Sequence, residues 1–249
     1  MSDAVRGLFI TGTDTGVGKT YVAAMIARSL RAAGRRVGVY KPAASGCRRE
    51  GDKLVSDDAL ALWNAAGGPG DLEHVCPQRF AAPLAPHLAA AKEGKRIDPG
   101  LLQSGLDYWR ERSEIVLVEG AGGLMSPLGE TEYNGDLAAA LGLPLLVVAR
   151  NALGVINATL QTLVAATAFG QGLAVAGIVL NHPAPPATDD VSLASNPREL
   201  LARSVPPLLA EVAWGAERFA APIDWFALAS RLSRTHTKLT RRRGDAEKR

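Results

Sequence analysis

Cysteine is nearly absent from this chain of 249 residues, which has only Cys47 and Cys76. Two thiols cannot build a disulfide framework or a cysteine metal cluster, and both read as ordinary reduced thiols. Long apolar runs are also lacking. None approaches the roughly twenty residues a membrane helix needs, and Met1-Ser2-Asp3 leads into a strand pattern without the charged region and cleavage site of a secretory leader. The expectation is a cytoplasmic protein. No internal repeat or Ser/Gly-rich linker divides the sequence, and its length fits one large domain with a sizeable core. Despite a pI of about 9.0, most of the chain carries no excess of basic charge. From Arg234 onward, Arg234, Lys238, Arg241, Arg242, Arg243, Lys248 and Arg249 stand against Asp245 and Glu247, a net +5 within a chain total of +3, which leaves −2 for residues 1–233. Residues 1–233 therefore read as the domain, and residues 234–249 as a basic, disordered tail that is solvated rather than a nucleic-acid arm. No nucleic-acid or membrane partner is expected.

What the sequence does contain is Thr11-Gly12-Thr13-Asp14-Thr15-Gly16-Val17-Gly18-Lys19-Thr20, placed after an apolar run and before a helical one. Glycines at 12, 16 and 18 let successive backbone N–H groups face a polyanion, and the next helix adds its N-terminal dipole. Lys19 suits terminal phosphates, and the Thr20 hydroxyl suits Mg²⁺. The usual phosphate-loop spacing wants glycine at position 13, where this chain has Thr13, with Gly12 one residue early.

Apolar β-rich runs alternate with helical ones, the pattern of an α/β, P-loop NTPase-like domain with a mainly parallel sheet covered on both faces. Strands are predicted at 5–11, 37–41, 115–119, 143–149, 175–181 and 209–212. Helices are predicted at 19–33, 57–66, 99–112, 134–141, 155–169, 197–203 and 224–232. Residues 183–186 read as a loop. Ligands of such sheets collect at the carboxyl ends of the strands. Those ends carry Lys41 to Gly46, Glu119 to Gly123, Arg150 to Asn157 and Asn181 to Pro183.

Glu119, held at the edge of an apolar strand beside a glycine-rich turn, suits Mg²⁺ coordination. Lys41 can neutralise charge on a transferred phosphoryl group or remain a solvated lysine. Ser56 reads as a helix cap, while Asp58 fits a cap or a ligand equally. Asn181 can donate to and accept from a purine edge. The lack of an Asn-Lys-x-Asp run favours adenine over guanine. His87 and His182 read as structural or rim residues. Trp63, Trp109, Trp214 and Trp225 are predicted to be core rather than a stacking platform.

Taken in order, the phosphate loop, Lys41-Pro42-Ala43-Ala44-Ser45-Gly46, Ser56-Asp57-Asp58-Ala59-Leu60-Ala61-Leu62, Val118-Glu119-Gly120-Ala121-Gly122-Gly123 and Leu153-Gly154-Val155-Ile156-Asn157 closely resemble the dethiobiotin synthetase family over roughly residues 5–215. The resemblance implies ATP-dependent closure of the ureido ring of dethiobiotin from 7,8-diaminononanoate and CO2, with Mg²⁺. One amine is carbamoylated, the carbamate attacks the γ-phosphate, and the second amine displaces phosphate from the mixed anhydride. It also implies Mg²⁺ ligands at Thr20, Asp58 and Glu119, and catalytic lysines at Lys19 and Lys41. Nucleotide contacts fall at Thr15, Gly16, Val17, Gly18, Lys19, Thr20, Tyr21, Glu119 and Asn181. Substrate contacts fall at Thr15, Lys41, Ser45, Gly122 and Gly154, Val155, Ile156, Asn157, the last four supplied by the neighbouring subunit of a homodimer.

The chain departs from some members in having Gly16 where they have Glu. It also has no tyrosine after Tyr133 to hold the substrate tail, with Ser195 or Asn196 as substitutes. Two other readings are weighed. A partition or cell-division switch ATPase wants a lysine five positions before Lys19, where this chain has Asp14. A cobyrinate-type amide ligase usually adds a glutaminase domain, for which nothing follows residue 215 at the needed length.

Overall fold

The computed structural model describes residues 6–185 and 190–229. Along the chain run β1 (Arg6–Gly12), α1 (Lys19–Ala32), β2 (Val37–Tyr40), β3 (Ala43–Ala44), β4 (Arg48–Glu50), β5 (Lys53–Val55), α2 (Asp57–Ala65), α3 (Leu72–Val75), β6 (Gln78–Arg79) and α4 (Pro86–Lys92). Then follow α5 (Pro99–Arg110), β7 (Ile115–Gly123), α6 (Asn134–Leu141), β8 (Leu145–Arg150), α7 (Val155–Ala168), β9 (Val175–Asn181), α8 (Ser192–Arg203), β10 (Leu208–Val212) and α9 (Trp225–Leu228). Six strands form one parallel sheet in the order β10-β9-β8-β1-β7-β2. The central strands are buried on both faces, which is why they read as unbroken apolar runs rather than alternating ones. The order reverses around β1, so the loop after β1 opens into the crevice between its neighbours β7 and β8.

The register sets the site. Tyr40 pairs with Val118 and Ile10 with Glu119, so Lys41, just past β2, stands beside Glu119. β7 was expected to end at Glu119 but runs on to Gly123. The next β1 pairing after Ile10–Glu119 is Gly12–Gly123, so β7 carries extra residues there as a bulge.

The last long helix was expected to start at Pro197 but starts at Ser192. Proline inside a helix orphans the carbonyl four residues earlier, and that carbonyl, Leu193 O, accepts a hydrogen bond from Asn151 Nδ2 at 3.3 Å. The short elements β3 to β6, α3 and α4 were not foreseen; pieces of two to seven residues are too brief for periodicity to mark. Trp109 and Trp225 are core and Trp63 packs partly buried against it, but Trp214 is 57% exposed, which corrects its placement in the core. Position 5, positions 186 and 230–232, and the tail 234–249 lie outside the described residues.

Candidate active site

The loop after β1 departs from the usual glycine spacing for a visible reason. Thr13 donates its backbone N–H to Val148 O on β8 at 3.0 Å and has an ordinary negative φ, so position 13 requires no glycine. Position 12 does: a Cβ there would lie 2.7 Å from Asp14 O and 3.2 Å from Lys19 Nζ. Gly18, the N-cap of α1, has φ 90°, and a Cβ on it would strike Asn181 Nδ2 at 2.1 Å. Its bare backbone thus serves both the turn and the approach of β9.

Lys19 is buried at the start of α1, and its Nζ donates to Asp14 O at 3.2 Å. Burial holds its pKa below an ordinary lysine's, and neighbouring Lys41 adds to this against Glu119 and Asp58. Glu119 is 1% exposed. Its Oε1 accepts from Thr20 Oγ1 at 2.9 Å and from Lys41 Nζ at 2.6 Å. Its Oε2 is buried without a partner among the described residues. Lys41 Nζ also lies 3.1 Å from Asp58 Oδ2. Burial opposes the charge on Lys41, but Glu119 and Asp58 more than offset it and raise its pKa. Asp58, at the start of α2, is likewise penalised by burial yet held below the usual carboxylate range by Lys41. The Asp58 contribution to stability is therefore complete at neutral pH and is lost only as pH falls through its lowered folded value. Ser56 caps α2 by accepting from Ala59 N at 3.2 Å, which frees Asp58 for the cluster.

Thr20, Lys41, Asp58 and Glu119 therefore converge, with Lys19 beside them. Thr15 and Gly122 also meet: a Cβ on Gly122 would lie 3.4 Å from Thr15 Oγ1. Ser45 is half-buried just past β3. The Tyr21 hydroxyl donates to Ala216 O and ties α1 to the segment after β10. Gly154 is the N-cap of α7, exposed and without a side-chain cap, with Leu153 85% exposed before it. Val155 is buried, Ile156 half-buried and Asn157 exposed. This segment follows β8, whereas Lys41 follows β2 at the sheet's far edge, so the two groups are not neighbours in the sheet.

Asn181 is buried, and its amide is half-committed. Nδ2 donates to Val17 O at 2.9 Å, while Oδ1 is buried with no partner among the described residues. Val17 O can only accept, which fixes the amide orientation and leaves one acceptor free. Asn196, considered as a substrate contact, is instead fully engaged: its Nδ2 donates to Asn151 Oδ1 at 2.8 Å and to Ala152 O at 3.2 Å. That corrects its assignment, because a buried amide locked in a structural network has no donor left for a ligand. Ser195 remains exposed on α8. His182 sits at the rim, where its Nε2 lies 2.9 Å from Glu211 Oε1.

Asn134 went unnoticed in the sequence. It is fully buried; Nδ2 donates to Ala121 O, Gly123 O and Ser126 O, and Oδ1 accepts from Ala121 N. It holds the bulged end of β7 in place. An asparagine opening a helix just after a glycine-rich strand end was the one available signal.

A phosphate loop at the switch point of a parallel sheet, with a lysine-carboxylate-hydroxyl cluster against it, defines a P-loop, NTPase-like enzyme. The model of a family described as an AAA domain matches residues 6–217. An ATP-dependent dethiobiotin synthetase of Anaeromyxobacter dehalogenans (strain 2CP-C) is 48% identical over 196 residues, 79% of this chain and 84% of that protein. That of Rhodopirellula baltica is 43% identical over 185 residues (70% and 72%), and that of Escherichia coli (strain K12) 38% over 210 residues (84% and 91%). The chain belongs to the ATP-dependent dethiobiotin synthetase family.

Among solved structures, the signal recognition particle receptor FtsY from Elizabethkingia anophelis aligns with TM-score 0.50 at 11% identity, over 92% of this chain and 65% of that one. A MinC:MinD cell division complex from Aquifex aeolicus aligns with TM-score 0.51 at 12% identity, over 84% and 81%. Such likeness is of fold alone, so the switch-ATPase reading gains only a distant structural relative. Among the described residues no helix is long and apolar enough to cross a membrane.

Proposed function

We propose that the cluster at the ends of β1, β2 and β7 closes the ureido ring of dethiobiotin from 7,8-diaminononanoate, CO2 and ATP, giving ADP and phosphate. The observation that carries this reading is the Lys41 ammonium, buried and held 2.6 Å from Glu119 and 3.1 Å from Asp58 next to Lys19. Two cations at one cleft suit a reaction in which charge moves between a carbamate and a phosphoryl group. Lys19 and the N–H groups of Gly16 to Thr20 hold the phosphates, and Tyr21 braces the helix that presents them. Lys41 neutralises the carbamate and the transferring phosphoryl group, while Ser45, Thr15 and Gly122 position the diamine. No covalent protein intermediate is needed.

The donor set fits a hard divalent cation. Thr20 offers a hydroxyl, Asp58 and Glu119 offer carboxylates, and the unpartnered Oε2 of Glu119 supplies a free ligand atom. Mg²⁺ bound there supplies neutralisation of the phosphate oxygens. The free Oδ1 of Asn181 fits an amino group, as on adenine. Asn181→Ala is expected to raise the KM for ATP on the order of tenfold with a smaller change in kcat, read from initial rates against ATP concentration.

The exposed, uncapped N-terminus of α7 at Gly154 to Asn157 suits the substrate carboxylate. Its exposed neighbours Leu153 and Val164 support packing against a second copy of the chain. We read the assembly as a cytoplasmic homodimer, with residues 1–233 as its domain. Purified protein given 7,8-diaminononanoate, bicarbonate, Mg²⁺ and ATP should release phosphate and form a cyclic urea in equal amounts. ATP hydrolysis that ignores the diamine and makes no urea overturns the reading.

A further inference from the structure

The Lys41 ammonium stands where the three prospective metal donors meet. Its Nζ touches Glu119 Oε1 and Asp58 Oδ2, and that same Oε1 accepts from Thr20 Oγ1 at 2.9 Å. The Lys41 side chain is 5% exposed and that of Glu119 1%, whereas Asp58 is half exposed. Without a counter-charge, the Glu119 carboxylate would be a buried, uncompensated anion, which is among the costliest arrangements in a protein interior. An ammonium and a divalent cation cannot occupy one point between the same oxygens, because their repulsion at contact distance far exceeds thermal energy.

We propose that Lys41 is an internal stand-in for the divalent cation. In the metal-free protein its ammonium closes the carboxylate pair, and metal binding exchanges with it. The displaced side chain then turns toward the cleft, where it is needed by the carbamate. This inference rests on the metal-ligand roles given above to Thr20, Asp58 and Glu119. The half-exposed Asp58 gives the incoming ion its first contact, and Glu119 Oε2, buried and unpartnered among the described residues, gives it a ligand atom that the lysine does not occupy. Lys41 would thus be delivered to substrate only when the metal is seated. Metal affinity in the absence of nucleotide would be weakened by the ion it must replace.

Mn²⁺ serves as the probe, with free ion measured by electron paramagnetic resonance on nucleotide-free protein. Lys41→Met is expected to bind Mn²⁺ on the order of tenfold more tightly than the unsubstituted protein. Its thermal midpoint should also rise more on adding Mn²⁺. In the unsubstituted protein, acylation of Lys41, followed by peptide mass mapping, should be slow without metal and at least several-fold faster with Mn²⁺. The exchange is overturned if folded Lys41→Met binds Mn²⁺ no more tightly, or if Mn²⁺ leaves the labelling of Lys41 unchanged. The labelling result decides the matter alone if Lys41→Met does not fold. Glu119→Gln separates the two levels of inference: unchanged Mn²⁺ affinity in that variant overturns the metal site itself and the exchange with it. Lost affinity there, with no gain in Lys41→Met, overturns only the exchange.

Discussion

Lys41→Met is expected to lower turnover by on the order of 10²–10³-fold while the KM for ATP changes no more than a few-fold. Methionine preserves most of the volume packed between β2 and β7 and deletes only the charge. Lys41 lies at the end of β2 and outside the loop that curls around the phosphates, so nucleotide binding does not depend on it in the ground state. The charge matters when the carbamate and the γ-phosphoryl group are both anionic and close, an interaction stronger in the transition state than before it. Lys19→Met should behave differently. That lysine sits within the phosphate loop, with Nζ 3.2 Å from Asp14 O, so its loss should raise the KM for ATP as well as lower kcat. Initial rates of phosphate release at saturating diamine, over a range of ATP, read both constants. Retained turnover in Lys41→Met removes its catalytic role, and an equal KM effect in the two variants removes the division of labour.

Both lysines were legible in the sequence because they end or follow strands of one parallel sheet, and a strand end is a defined place. The central strands were legible for the same reason: Leu8, Phe9 and Ile10, like Leu145 to Val148, are buried on both faces and read as continuous apolar runs. Glu119 was legible as the polar end of such a run. Asp58 was not separable from a cap by local pattern alone, and only the pairing of Ser56 with Ala59 N, together with the reach of Lys41, divides their roles. The early start of α8 escaped because Pro197 looks like a helix beginning. The side chain that compensates it, Asn151, lies 42 residues from Leu193 in sequence. Asn181 reads in sequence as a residue able to donate to and accept from a purine edge; packing against Val17 O takes one of its two Nδ2 hydrogens and leaves Oδ1 free among the described residues. The gaps at Pro197 and Asn181 come from contacts made across the fold, which no periodicity carries.

Asn134 is the sharpest case, and its replacement should have the largest effect on stability. Asn134→Asp keeps the side-chain volume but places a carboxyl oxygen against Ala121 O, Gly123 O and Ser126 O, which now accept from Nδ2 at 2.6, 2.9 and 3.2 Å. A single carboxylic O–H can satisfy one of those carbonyls; an ionised carboxylate satisfies none and is buried. With each unsatisfied buried group costing about 1–3 kcal/mol, a loss of roughly 3–5 kcal/mol is expected. In a chain of this size that corresponds to a midpoint lowered by roughly 6–20 °C. The damage should extend to chemistry, because the same amide fixes the bulge that carries Gly122 toward Thr15. Diamine KM should therefore rise in the fraction that remains folded. Thermal and urea denaturation followed by circular dichroism give the stability term, and rates at a temperature well below the new midpoint give the second. A shift under about 1 kcal/mol would show that water or a backbone adjustment replaces the amide. In that case Gly120 becomes the residue to test next: a Cβ there would lie 2.6 Å from Asn134 Oδ1, so Gly120→Ala disturbs the same junction from the strand side.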